Sequence, residues 1–109
     1  MKIDFDKIRE ISMPRFNGGE GETVLKTFSD RRVTVLTGRL EAGDSVGLHS
    51  HLTDCEVIYV VSGSGKAIEN GEMERLAPGS VHYCPKGSSH SLINDGKEPL
   101  VFFAVVPSV

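Results

Sequence analysis

Two stretches decide the fold of this chain: 43-GDSVGLHSHLTDCEVIYVVSG-63 and 79-GSVHYCPKGSSHSLIN-94. Both alternate short runs of valine, isoleucine, leucine and tyrosine with turns made of glycine, proline, serine and aspartate. Such runs are typical of all-β sandwiches and barrels, because β-branched and aromatic side chains pack well on a pleated surface. The sequence on either side continues the pattern, and we therefore expect one all-β domain.

Nine strands are predicted from the apolar runs and the turn residues between them. They are residues 23–28, 32–40, 46–51, 56–61, 65–70, 72–76, 81–84, 89–94 and 100–106. Asn70-Gly71 and Asp95-Gly96 are both predicted to form tight hairpin turns, since these residue pairs tolerate positive φ. Residues 5–11 form either a short helix or a short strand, and residues 14–21 are expected to be irregular because they are rich in glycine.

A close grouping of histidines with one glutamate is the main candidate for chemistry. His49 and His51 lie two residues apart on a predicted strand, so their side chains project from the same face. Glu56 opens the next predicted strand, and His90 lies on a separate one. If these groups converge, three imidazoles and a carboxylate form a site for a divalent metal. Each histidine is also compatible with an exposed or ordinarily hydrogen-bonded position, and spacing alone leaves both interpretations open.

The same two stretches resemble the two sequence motifs of the cupin superfamily. Residues 43–63 fit G-x5-H-x-H-x4-E-x6-G and residues 79–94 fit G-x5-P-x-G-x2-H-x3-N, with all ten fixed positions matched. The short stretch between the motifs is similar to that of small microbial single-domain cupins. The resemblance implies a single cupin domain over 1–109, with an N-terminal arm at 1–22 and a double-stranded β-helix, or jelly-roll, barrel at 23–107.

By the same resemblance, the metal ligands are His49, His51, Glu56 and His90, and the cofactor is one divalent ion of manganese, iron, nickel or zinc. The implied function is that of a metal-dependent enzyme acting on a small organic acid, sugar or related metabolite. The reaction would be of the dioxygenase, decarboxylase, isomerase or lyase type. The alternative is a non-catalytic module that binds or senses a small molecule, which the small size of the chain favours.

Strand alternation leaves open which way several other side chains point. His82 and Cys84 share one face of a predicted strand. If that face lines the barrel, His82 is a weak catalytic candidate; if it faces out, His82 is a surface or interface histidine, which we favour. Arg39 would indicate an anionic substrate inside the cavity, but the leucines on the other face of its strand suit the interior better. One of Phe102 and Phe103 is expected to line the pocket.

Composition excludes some partners and indicates others. The 109 residues carry a net charge of −3 and a pI near 5.8, without the clustered basic residues that nucleic-acid binding needs. No apolar run is long enough to span a membrane, and the N-terminus lacks the apolar core of a secretory signal. The two cysteines do not make a disulfide framework, so we expect a cytoplasmic protein.

A homodimer is expected, because the strands at 57–61 and 100–106 offer more apolar surface than one small barrel covers.

Overall fold

The computed structural model describes all 109 residues and contains ten β-strands and two 3₁₀-helices. The helices are Phe5–Lys7 and Phe16–Gly18, and the strands are β1 (Ile11–Pro14), β2 (Glu22–Ser29), β3 (Val33–Leu40), β4 (Ser45–Ser50), β5 (Glu56–Ser62), β6 (Gly65–Glu69), β7 (Glu72–Leu76), β8 (Val81–Cys84), β9 (Ser89–Ile93) and β10 (Leu100–Pro107). The strands form two antiparallel sheets, with orders β1-β2-β3-β10-β5-β8 and β4-β9-β6-β7. The expected all-β jelly-roll barrel is confirmed. None of the helices is long and apolar enough to cross a membrane.

The core lies between the two sheets and follows from the period-two alternation of the strands. On β5, Ile58 and Val60 are buried while Val57 and Tyr59, which alternate with them, are exposed. The core cluster consists of Leu40, Val46, Ile58, Val60, Ala67, Leu76, Leu92, Leu100, Phe102 and Ala104, with Phe16 and Leu36 packed against it. Both sheets contribute, and burying each large apolar side chain stabilises the fold by roughly 1.5–3 kcal/mol.

All nine predicted strands are present, each within one residue of its predicted bounds, but one strand was not predicted. β1 pairs with β2 and adds an edge to the larger sheet. It lies where residues 5–11, expected to be a short helix or a short strand, meet residues 14–21, expected to be irregular. All four residues of β1 are exposed, so the strand has no alternation of burial that the sequence could reveal. Of residues 5–11, only Phe5–Lys7 is helical.

The two predicted hairpin turns have different outcomes. Asn70 and Gly71 have φ values of 49° and 85°, and they join β6 to β7 as predicted. The prediction for Asp95-Gly96 is wrong, because neither residue has a positive φ and the turn leads from one sheet to the other. The side chain of Asn94 shapes this crossover instead, since its Oδ1 accepts a hydrogen bond from the Gly96 N–H at 3.0 Å.

Two glycines with positive φ provide a matched test of the barrel's packing. Gly63 has a φ of +77°, and a Cβ built there would lie 2.1 Å from the backbone oxygen of Pro99. Gly79 has a φ of +91°, but its missing Cβ faces open space. We predict that Gly79→Ala costs about 1 kcal/mol for the left-handed backbone alone, whereas Gly63→Ala costs about 3 kcal/mol because the clash is added. Urea unfolding with an unchanged m-value measures both, and equal losses at the two sites would contradict the packing described.

Candidate metal centre

Strand pairing brings the four expected ligands together from both sheets. His49, near the end of β4, lies directly opposite His90 on β9 in the smaller sheet. His51 follows β4 immediately, and Glu56 is the first residue of β5 in the larger sheet. One ligand atom from each of these four residues lies within 4.8 Å of the others. The four residues that the sequence analysis singled out therefore form one cluster.

The spacing of the inner atoms matches that of groups around one ion. His90 Nε2 lies 3.1 Å from His49 Nε2, 3.0 Å from His51 Nε2 and 2.9 Å from Glu56 Oε1. Ligands bound at about 2.1 Å, at right angles around a metal ion, are about 3 Å apart. His51, Glu56 and His90 are buried, and His49 is partly buried, so the cluster is largely shielded from water.

The outer nitrogens of His49 and His51 show where their protons lie. His49 Nδ1 is 2.8 Å from the carbonyl oxygen of Gly47, and His51 Nδ1 is 2.7 Å from Asp54 Oδ1. Both partners accept, so each Nδ1–H donates and each Nε2 presents a lone pair to the centre of the cluster. Lone pairs that face one another at 3 Å need a proton or a cation between them. The donor set therefore fits a divalent metal ion.

Charge within the cluster reinforces this fit. Burial opposes the ionisation of Glu56, but hydrogen bonds with His49 and His90 outweigh it, and the pKa of Glu56 falls to about 2. Burial lowers the pKa of His90, and the nearby Glu56 offsets this only in part. Burial also disfavours the charged form of His49, but hydrogen bonds to Glu56 and Gly47 outweigh that effect and raise its pKa. At neutral pH Glu56 is therefore ionised, and His49 retains a proton more readily than an isolated imidazole, in the place that a metal ion would take.

A cavity of about 180 Å³ opens onto the cluster. Apolar side chains form most of its wall: Phe16, Leu25, Leu36, Val46, Ile58, Leu92, Phe102 and Val106. Apart from the four clustered residues, the polar lining consists of Asn17 and Thr23, and no lysine or arginine lines the cavity. Thr23 Oγ1 is buried without any hydrogen-bond partner. A molecule in this cavity would therefore meet an apolar wall and the histidine–glutamate cluster, with Asn17 and Thr23 as the other polar residues of the lining.

The structure settles several orientations that the sequence left open. His82 is only 1% exposed and faces the barrel interior, so the favoured surface position was wrong. Cys84 lies on the same buried face. Arg39 is on the outside, as expected, where it pairs with Glu10 and Glu41.

Of the phenylalanine pair, Phe102 lines the cavity and Phe103 packs edge-on against Phe5 outside it. Sequence reasoning missed Asn17 and Thr23 as cavity residues. Asn17 lies in the segment expected to be irregular, and Thr23 is one of several threonines in strands. Neither position carries a signal that distinguishes it in the sequence.

Comparison with known proteins identifies the family. The family model described as "Cupin domain" matches residues 36–106. The chain belongs to the cupin family. An oxalate-binding protein of Thermotoga maritima is 30% identical to this cupin over 112 residues, covering 97% of this chain and 93% of the relative.

Two further proteins are similar to this chain. The crystal structure of a predicted oxalate decarboxylase, also from Thermotoga maritima, superposes with a TM-score of 0.93 at 28% identity and covers both chains completely. A glucose-6-phosphate isomerase of Thermococcus gammatolerans is 34% identical over 65 residues, which are 55% of this chain and only 34% of that enzyme. The likeness to the isomerase is therefore confined to part of each protein.

Metal binding by this cupin should weaken steeply on acidification. Histidine must be neutral to bind a metal, so protons compete as the pH falls toward the ordinary histidine pKa of about 6.5. Because the pKa of His49 is raised, this competition begins above that value. We predict that the Kd for Co²⁺, measured by chelator competition, is at least tenfold higher at pH 5.5 than at pH 7.5. The double variant His49→Ala/His51→Ala is the control without a site, and undiminished occupancy of the unmodified protein at pH 5 would exclude a histidine-based centre.

Proposed function

We propose that this cupin binds one divalent metal ion through His49, His51, Glu56 and His90, and that a small organic acid bound to this ion is its substrate. The observation that carries the proposal is the cavity, which opens onto the cluster and leaves room for a small molecule beside an ion. A divalent ion would supply Lewis acidity toward substrate oxygens. The protein's own contribution is to hold the ligands and exclude water.

Volume and charge restrict the substrate class. Water occupies about 30 Å³ per molecule in the liquid, so the cavity of about 180 Å³ has room for a molecule of only a few non-hydrogen atoms. One anionic ligand, Glu56, leaves a net positive charge on a divalent centre, which favours an anion. The lining has no arginine or lysine to pair with a phosphate group. A small carboxylate therefore fits better than a phosphorylated sugar, and the relative named an oxalate-binding protein supports this choice.

The apolar wall leaves few groups for acid–base chemistry. Glu56, with a pKa of about 2, suits the role of a ligand better than that of a base. Beyond the four clustered residues, no ionisable side chain lines the cavity. This observation favours a second candidate function, a binding or sensing module that does not convert its ligand. Both candidates require the same metal-dependent binding and differ only in turnover.

Ligand binding should depend on the metal and on Thr23. We predict that oxalate or pyruvate binds the Co²⁺-loaded protein but not the metal-free protein, and that glucose 6-phosphate binds neither form. Thr23→Val removes the free hydroxyl and should lower the affinity for the acid about fivefold, the effect of one hydrogen bond of about 1 kcal/mol. Thr23→Ser keeps a hydroxyl and should retain the affinity. Calorimetric titration measures all of these affinities.

The controls distinguish two questions: whether the proposed ligand class is right, and whether the protein is an enzyme or a binding module. Equal binding with and without metal, or preferred binding of glucose 6-phosphate, would contradict the proposed ligand class. Loss of the acid or release of carbon dioxide, followed with several metals in air and without oxygen, would show an enzyme. Binding without conversion under all of these conditions would show the binding module.

We also propose that this cupin is a homodimer that pairs through the outer face of β5 and β8. Apolar side chains are exposed on this face at the edge of the larger sheet: Val57, Tyr59, Val61, Val81 and Tyr83. Tyr59 lies opposite Val81 and Val57 opposite Tyr83, so the side chains form one contiguous patch. Contiguous exposed apolar patches rimmed by polar residues mark association surfaces, and a second copy of this chain buries the patch symmetrically.

Charge placed in this patch should separate the subunits. We predict that Val81→Lys/Tyr83→Lys gives a monomeric mass by light scattering, because two charges on each copy would have to be buried unpaired. Met73→Lys is the matched control, since Met73 is 57% exposed but lies on β7 in the other sheet, and this variant should remain dimeric. A monomeric mass for the unmodified protein at working concentration would contradict the proposed dimer.

A further inference from the structure

A chain of hydrogen bonds connects His90 to the protein surface. His82, on β8, places its Nε2 2.9 Å from Nδ1 of His90, and the two rings stack at a centroid distance of 5.1 Å. The other nitrogen of His82, Nδ1, lies 2.5 Å from Oε1 of Glu74, whose side chain is about half exposed. β7 and β8, which carry Glu74 and His82, are each the outermost strand of a different sheet. The chain therefore bridges the gap between the two sheets with side chains, without backbone pairing.

Proton positions with a metal ion bound follow from the carboxylate at the outer end of this chain. A carboxylate has no proton to give, so His82 Nδ1–H donates to Glu74. The Nε2 of neutral His82 then has a lone pair and accepts from Nδ1–H of His90. His90 can then present the lone pair of its Nε2 to a metal ion, whereas without an ion Glu56 Oε1, at 2.9 Å, competes for a proton on that nitrogen. Glu69 also approaches His82, but its oxygen is 3.8 Å from Nε2 and outside hydrogen-bond distance.

The hydrogen-bond partner at Nδ1 of His90 differs in kind from those of the two other imidazoles of the cluster. His49 donates to a backbone carbonyl and His51 donates to a carboxylate, and each of these partners accepts directly. The partner of His90 is another imidazole, which can either donate or accept at the nitrogen facing His90. Nδ1 of His90 is therefore held as a donor only as long as something fixes the tautomer of His82. Glu74 is the group within hydrogen-bond distance that does so.

We propose that Glu74 and His82 are positioning residues that hold His90 in its Nδ1–H tautomer and so keep Nε2 available for the metal. The inference rests on the proposed metal site, and it assigns a role in that site to a half-exposed carboxylate on β7. Hydrogen-bond partners behind metal-binding histidines fix ring orientation, and their loss typically costs 10–100-fold in metal affinity.

Two pairs of variants test this role. Glu74→Gln removes the obligatory acceptor, because an amide can either donate or accept, and Glu72→Gln on the same strand is its control for loss of charge. His82→Phe keeps a ring but loses both hydrogen bonds, whereas the amide of His82→Gln can accept from His90 but can equally donate. We expect the Co²⁺ Kd to rise about tenfold in Glu74→Gln and in His82→Gln, and 10–100-fold in His82→Phe. A change within about threefold is expected for Glu72→Gln.

Imidazole ¹⁵N spectra of the metal-free protein provide a readout that general destabilisation would not produce. His82 should carry its proton on Nδ1, beside Glu74, in the unmodified protein and should lose this preference in Glu74→Gln. If His82→Phe fails to fold, Glu74→Gln carries the test, because it changes a half-exposed side chain.

An unchanged His82 tautomer together with unchanged Co²⁺ affinity in Glu74→Gln would overturn the assigned role. Failure of the unmodified protein to bind Co²⁺ would refute the metal site itself. In that case the ¹⁵N spectra still decide whether Glu74 controls the tautomer of His82.

Discussion

The pairing of β4 with β9 is the constraint on which the site depends, because it sets His49 directly opposite His90. Side chains alternate between the faces of a strand, so a slip of one residue would turn one of these histidines out of the barrel. The register shifts between Val46 and His49, so the pairing at the core end of β4 does not by itself fix the pairing at the histidines. A separate anchor is therefore needed at each end of this strand pair.

Asn94 provides the anchor at the core end. Its backbone N–H donates to Asp44 at 3.0 Å, and its carbonyl accepts from Gly43 at 2.8 Å. Its buried side chain donates to the carbonyl oxygens of Leu40 and Glu98. At the other end, His51 N–H donates to Ser88, and Gly87 N–H donates to the carbonyl oxygen of His51. The first residue of one sequence motif thus meets the last residue of the other, which explains why the two stretches together define the barrel.

Residue spacing predicted nine strands because strands depend on alternation and turn chemistry, which are local properties, whereas the convergence of the histidines was expected only from the resemblance to the cupin motifs. It failed where the outcome depends on which face of a strand is inside. β8 places Val81 and Tyr83 outward and His82 inward, the reverse of the usual pattern, so the surface position favoured for His82 was wrong. Asp95-Gly96 failed for a different reason, since the Asn94 side chain determines a crossover between sheets that resembles a hairpin in sequence. The exposed β1 gave no pattern at all.

The reversed polarity of β8 has a physical explanation in the site that it supports. A buried imidazole must satisfy both ring nitrogens or lose the hydrogen bonds that it makes in water. His82 satisfies one with His90 and the other with Glu74, so its inward position costs little and gives His90 a defined partner. β8 pairs only with β5, through four residue pairs, and its place in the barrel depends on few backbone contacts. The hydrogen bonds of His82 therefore also hold this edge strand against the smaller sheet, and they link the gap between the two sheets to the proposed metal site.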